Sequence, residues 1–335
     1  MTATDDTPPT TYPHPTASRY TVACLSGSGA GPEVMAEASR TLAELSTLHG
    51  FRIDEIHPPF GHEAIARSGQ PLPASTLAAT RSADAVLVAG SSRTAVAGIE
   101  SELEPSAFLL QALLANGSEL VLLAPLRSGT EDWTIERAFR SAEHRAGRIA
   151  AVGVGTGWQG RVDRHAERGS GVAVEQLPLA AALHRLAPTS AVSSEAEPQL
   201  LVVEARLVDA LLEVAQVDTS GLPAATGLLG DGPGIFSPYS GPVERASHKD
   251  AGQGVANPSS MLIAAALLLR EGLGRHAAAE TLEAGVAAAM LQPIATLDRA
   301  PSGSLASSTR EFVDVVLGLL PRTRRDLEFA IGGSA

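Results

Sequence analysis

Tyr20-Thr-Val-Ala-Cys-Leu25 is a short apolar run that breaks on the glycine loop at residues 27–31 and passes at once into a helical stretch. Pro32 falls in the first turn of that helix, where its missing N–H costs little. Glu33, Ala36 and Leu42–Leu45 carry the helical pattern to about His49. Phe51–Ile56 then reads as a second strand, Leu77–Arg81 as a helix and Ala85–Ala89 as a buried strand. This β-α-β-α-β opening constrains the chain more than any other feature. Parallel strands joined by helical crossovers need both faces of their sheet covered. The fold class is therefore α/β, a large parallel or mixed sheet flanked by helices.

The middle of the chain reads less cleanly. Glu104–Leu114 is predicted as a helix, Leu120–Pro125 as a strand, Thr134–Ala146 as a helix and Ile149–Val154 as a strand. Trp158–Val174 is rich in glycine and charge and has no period. Leu177–Leu186 is predicted as a helix, Pro198–Glu204 as a strand and Leu207–Val214 as a helix. Glycine and proline dominate from Gly221 to Gly234. Ser259–Glu271, His276–Met290 and Ser308–Leu319 are three periodic helices. Residues 1–17, with four prolines, read as a disordered tail, and 321–335 as a frayed end.

A chain of 335 residues holds one large or two medium domains. Its net charge of −12 and lack of a basic tract argue against a nucleic-acid partner. Cys24 is alone, which rules out an intrachain disulfide; its place in a predicted strand marks a buried structural thiol, and a cytoplasmic setting fits. Met1–Ser18 is polar and proline-rich without the apolar core of a signal peptide. Leu262–Leu269 is too short to span a bilayer and ends at Arg270, so no membrane partner is expected.

Ser237–Pro258 is a loop of Ser, Gly, Pro and charged residues that feeds the apolar run Ser260–Leu269. Its glycines let backbone approach a ligand closely, and the following helix presents free N–H groups and a positive dipole end. Lys249, the only lysine of the chain, lies within it. Lys249-Asp-Ala-Gly-Gln-Gly-Val-Ala-Asn-Pro258 resembles the adenine-side loop of the isocitrate and 3-isopropylmalate dehydrogenase family of β-decarboxylating dehydrogenases. Gly27-Ser-Gly-Ala-Gly-Pro-Glu-Val34 is similar to that family's G-D-G-I-G-P-E-V. Gly61–Leu77 and Ala83–Gly90 follow two more of its motifs in register.

The resemblance implies two domains: a large nucleotide-binding one from 18–100 and 225–335, and a smaller dimer-forming one from 101–224. It also implies an arm at about 158–176 that clasps a partner, either a second copy or an active family member. A small-molecule ligand, NAD or NADP, and magnesium are the implied ligands. Ser240 stands where the family has histidine and Gly241 matches its glycine. Lys249, with Asp250, Ala251 and Gly252, falls where the ribose is held and favours a 2′-phosphate; Asn257 would read the adenine edge. Asp209 and Glu213, four apart on one helix, take two metal-carboxylate positions. The alternative reading makes them solvated acids on an amphipathic helix.

Oxidative β-decarboxylation also needs arginines for the substrate carboxylates, a base, an acid and a third metal ligand. No arginine or lysine occurs from Thr94 to Leu126. The clamp positions map to Leu113 or Leu114 and to Ala124, the lysine to Val154 and the third metal ligand to Leu179. The tyrosine segment is deleted, and no tyrosine occurs between Tyr20 and Tyr239. Three readings remain open. One is a non-catalytic or regulatory family member that binds a nucleotide or metabolite. Another is an NAD(P)-dependent oxidoreductase for an atypical 2-hydroxy acid. The last is a repurposed enzyme whose pocket (Leu113, Leu114, Ala124, Val154, Leu179) takes an apolar ligand, with His144, His165 or His184 as acid or base.

Overall fold

The computed structural model describes residues 19–90, 93–113, 119–145, 147–169, 171–187, 199–215, 222–239, 251–299 and 305–321. β1 (Arg19–Leu25), β2 (Arg52–Ile56) and β3 (Ala85–Val88) are linked by α1 (Gly31–His49), α2 (His62–Ser68) and α3 (Ala74–Ser82). Next come α4 (Arg93–Leu103), β4 (Ala107–Leu113), β5 (Glu119–Pro125), α5 (Glu131–Glu143), β6 (Arg148–Val152), α6 (Thr156–Ala166) and β7 (Ala173–Leu177). They are followed by α7 (Leu179–Leu186), β8 (Gln199–Val203), α8 (Val208–Val214), β9 (Ala224–Leu229) and β10 (Gly234–Pro238). The chain finishes with α9 (Ser259–Leu267), α10 (His276–Met290), a small pair β11 (Ile294–Thr296) and β12 (Leu305–Ser307), and α11 (Thr309–Gly318).

Ten strands form one sheet in the order β2-β1-β3-β10-β9-β4-β5-β8-β6-β7. β2, β1, β3 and β10 are parallel, and so are β5, β8, β6 and β7. Between these blocks β10–β9, β9–β4 and β4–β5 pair antiparallel. Three reversals turn the second block against the first. The carboxyl ends of the two blocks therefore lie at opposite edges of the sheet. One sheet runs through both expected domains, crossing from β9 to β4.

Both faces are covered, as parallel strands require. Tyr20, Val22, Cys24, Leu109, Val121 and Phe236 pack beneath α1, α5, α6, α9, α10 and α11. On the other face, α4 and the loop residue Phe60 cover Ala23, Leu25, Val86 and Ile235. Farther along that face α7 and α8 cover Leu110, Leu122, Val152 and Val203. All nine residues of α9 are buried, which its uniformly apolar sequence demands. The helix continues through a π turn, Leu268–Gly272, that carries the buried Arg270 and Glu271.

Two expectations need correction. The stretch 104–114 is not a helix: Ala107–Leu113 is a central strand between β9 and β5. A strand buried on both faces has a continuous apolar run, which period alone cannot tell from a buried helix. Within Trp158–Val174, read as lacking a period, residues to Ala166 complete α6 and Ala173–Leu177 pairs with β6 inside the main sheet. The glycine-rich 221–234 contains β9, whose small residues make room for a neighbour. A Cβ on Gly227 would sit 3.2 Å from the Phe236 ring. Cys24 is buried, as expected, and burial and the adjacent Glu55 carboxylate push its thiol pKa up. The tail 1–17 lies outside the described residues, as does most of 321–335.

Candidate functional site

Ligands of open α/β sheets bind outside the carboxyl ends of the strands, and this sheet has two such edges. At the first, Gly27 and Gly29 have φ of +70° and +65°. A Cβ on Gly27 would fall 1.2 Å from the Gly90 carbonyl oxygen, and one on Gly31 1.9 Å from that of Ser26. These glycines serve backbone packing between the ends of β1 and β3. Glu33, in the first turn of α1, accepts from the Gly254 and Ala256 N–H groups at 3.1 and 3.0 Å and from the Thr309 hydroxyl at 3.3 Å. Thr309 N–H donates to the Gly254 carbonyl at 2.8 Å. The end of the loop is thus tied to α1 and α11.

Of the residues expected to hold the cofactor, Ser240, Gly241, Lys249 and Asp250 lie outside the described residues. Ala251 and Gly252 are exposed, Gly252 with φ of +75°. Asn257 closes an Asx-type turn, its Oδ1 accepting from the Ser259 N–H at 2.9 Å and from the Ser259 hydroxyl. Its own N–H donates to Asp298 at 2.9 Å. Exposed backbone at Ala251-Gly252 leaves room for an adenosine. The amides of Gly254, Ala256 and Asn257 already meet carboxylates, however, and carboxylates repel a pyrophosphate. The described segment does not fit the phosphates of a dinucleotide.

At the opposite edge β5, β8 and β6 end around a crevice of about 410 Å³. Leu126, Arg127 and Ser128 leave β5, Glu204 and Arg206 leave β8, Glu131 and Trp158 come from the first turns of α5 and α6, and Arg161 from the second turn of α6. Arg127 Nη2 donates to the Glu104 carbonyl at 2.7 Å, and Glu104 is a non-glycine residue with φ of +44°. Arg161 meets Asp132 at 2.5 Å and Arg206 meets Glu204 at 2.8 Å. Glu204 also accepts from the Val154 N–H at 3.1 Å. The rim thus carries three guanidiniums and neighbouring carboxylates. Its side chains include no lysine, tyrosine, histidine or cysteine.

The strand register decides which clamp and pocket positions meet. Ala124, Val154 and Leu179 all fall at this carboxyl rim. Leu113 does not: it pairs with Glu119, whereas Ala124 pairs with Phe108. Five registers separate them, roughly 17 Å at about 3.4 Å per residue. The apolar pocket that included both is not assembled. Leu114 lies outside the described residues. Val154 is 57 % exposed and Ala124 buried.

Asp209 and Glu213 are exposed on α8, and no third His, Cys, Asp or Glu among the described residues joins them. Magnesium takes about six oxygen ligands, and two exposed carboxylates do not fit it. None of the three histidines lines the crevice. His165 Nδ1 lies 3.0 Å from the Arg161 carbonyl, His184 is exposed on α7, and the His144 ring stacks on His276 at 3.8 Å. Arg161, Arg206 and Glu204 carried no motif. They meet only because three strands end together.

This mixed ten-stranded sheet, covered by helices on both faces and carrying a glycine loop after β1, defines an open α/β protein. The isocitrate/isopropylmalate dehydrogenase family model matches residues 21–130 and 215–316. A 3-isopropylmalate dehydrogenase of Synechococcus sp. (strain CC9902) is 31 % identical over 349 residues, covering 85 % of this chain and 95 % of the relative. One from Synechococcus sp. (strain CC9605) is 29 % identical over 90 % of this chain and all of the relative. The β-decarboxylating dehydrogenase of Thermococcus kodakarensis shares the fold at TM-score 0.72 and 22 % identity, over 92 % of this chain and 96 % of that one. The chain belongs to the isocitrate/isopropylmalate dehydrogenase family.

Proposed function

We propose that this family member binds an anionic small molecule in the crevice at the ends of β5, β8 and β6 and does not carry out oxidative β-decarboxylation. The observation that supports this is the lining: guanidiniums to hold carboxylate or phosphate oxygens, and no side chain with a pKa ordinarily near neutrality to move a proton. Arg127, Arg161 and Arg206 bind and orient the anion. The role that follows is a metabolite-sensing or regulatory subunit, paired with itself or with an active relative.

The test is a turnover assay with isopropylmalate, isocitrate, malate and tartrate, each with NAD or NADP and magnesium. The expected result is no turnover above background, with a thermal shift on adding a di- or tricarboxylate. Arg161→Ala or Arg206→Ala lowers that affinity roughly tenfold or more, the scale of a lost charge-assisted hydrogen bond of about 1.5–3 kcal/mol. Turnover of any of these acids establishes instead the NAD(P)-dependent oxidoreductase that the relatives' names favour. A shift with NAD or NADP alone would support dinucleotide binding instead.

A further inference from the structure

We propose that Cys24, Glu55 and His57 form a binding site for one borderline-soft divalent cation of the zinc type, at the carboxyl ends of β1 and β2. Val22 pairs with Glu55 and Ala23 with Ile56 across these parallel strands. Cys24 lies two residues beyond Val22, and His57 two beyond Glu55. The period of two along a strand therefore puts all three side chains on the face covered by α1. The thiol sulfur, a carboxylate oxygen and an imidazole nitrogen lie within 4.8 Å of one another, and His57 Nε2 is 3.2 Å from Glu55.

Sulfur with imidazole nitrogen suits zinc or cobalt and not magnesium or calcium, which take oxygen. Three protein ligands leave a fourth position to water or a ligand. Charge supports the assignment as well. One divalent cation with a thiolate and a carboxylate sums to zero, which suits a half-buried place. On binding, the S–H bond breaks, sulfur bonds the metal and the proton leaves to solvent. The Glu55 side chain is 19 % exposed and that of His57 52 %, so two of the three ligands face solvent. A groove of about 420 Å³ between α1 and β2 opens beside it and is lined by Glu55 and Ser39. The Ser39 hydroxyl is buried without a hydrogen-bond partner among the described residues.

The test titrates the full, tag-free, reduced and metal-stripped chain with cobalt(II), then with zinc. The expected result is one ion per chain, a thiolate-to-cobalt charge-transfer absorption, release of one proton and displacement of cobalt by zinc. Cys24→Ser removes that absorption. Because Cys24 also packs in the core, His57→Gln and Glu55→Gln are the decisive variants. Both replace partly exposed side chains, keep the metal-free melting temperature and lower affinity at least about tenfold, the loss that even an outer-shell partner brings. Absence of the sulfur band overturns the proposal, and so does affinity unchanged in His57→Gln and Glu55→Gln. The crevice lies at the opposite edge of the sheet, so either site can fail without the other.

Discussion

A methyl group at Gly27 would land 1.2 Å from the Gly90 carbonyl oxygen, on a backbone with φ of +70°. Gly50 has the same φ with nothing within 4 Å. The pair separates two costs. Gly50→Ala bears only the left-handed backbone, about 1–2 kcal/mol, whereas Gly27→Ala adds displacement of the β3 end and should lose about 3 kcal/mol or more. Urea denaturation with equal m-values checks this, and equal losses in the two variants would show that the loop relaxes freely. The glycine loop was legible in the sequence; its reason was not. Gly90 is 63 residues away and meets Gly27 only because β1 and β3 are neighbours. Glu33 was legible in the same limited way, as a helix residue, while its grip on Gly254 and Ala256 needed the whole chain to close.

Among the elements, α9 shows how a fully buried helix ends on charge. Arg270, 4 % exposed, meets Glu283 at 2.6 Å and Glu280 at 3.5 Å; Arg137 and the Ser141 hydroxyl each meet Glu271 at 2.8 Å. Burial alone would raise the Glu271 and Glu283 carboxyls. The guanidiniums of Arg137 and Arg145 at Glu271, and of Arg270 and Arg145 at Glu283, outweigh it and hold both below the usual range. Removing one partner leaves a buried unpaired charge, so Arg270→Ala should cost about 3–5 kcal/mol, while Arg270→Met with Glu283→Leu recovers most of it. Chemical denaturation decides, and a small loss in the single variant would mean that water reaches the pair. Periodicity revealed α9, α10 and α11 but not β4 or β9. Ala107–Leu113 owes its strand conformation to β5 and β9 on its flanks, which no local window contains.

Acid stability is a property of the whole molecule. Burial first, then the neighbouring His144 and Arg270, push His276 down to about 4 from an ordinary 6.5. Between those values the unfolded chain binds a proton that the folded chain refuses, so stability falls as pH drops from about 6.5 to 4. Below that, protonating Glu271 and Glu283 removes more, since their folded values are depressed. His276→Gln should flatten the upper part of this slope, read as melting temperature against pH; an unchanged slope would place the loss elsewhere. What the residues determined alone was the local grammar: apolar runs, glycine loops, the late helices, and motifs specific enough to mark a dehydrogenase family. The tertiary structure alone decided that the two parallel blocks oppose each other, that Leu113 and Ala124 lie at opposite ends of a hairpin, and that Arg127, Arg161 and Arg206 share one rim. Spacing along the chain marks amphipathic and apolar elements, whereas the identity of a strand buried on both faces, and a site at strand ends, are set by neighbours that only sheet pairing brings together.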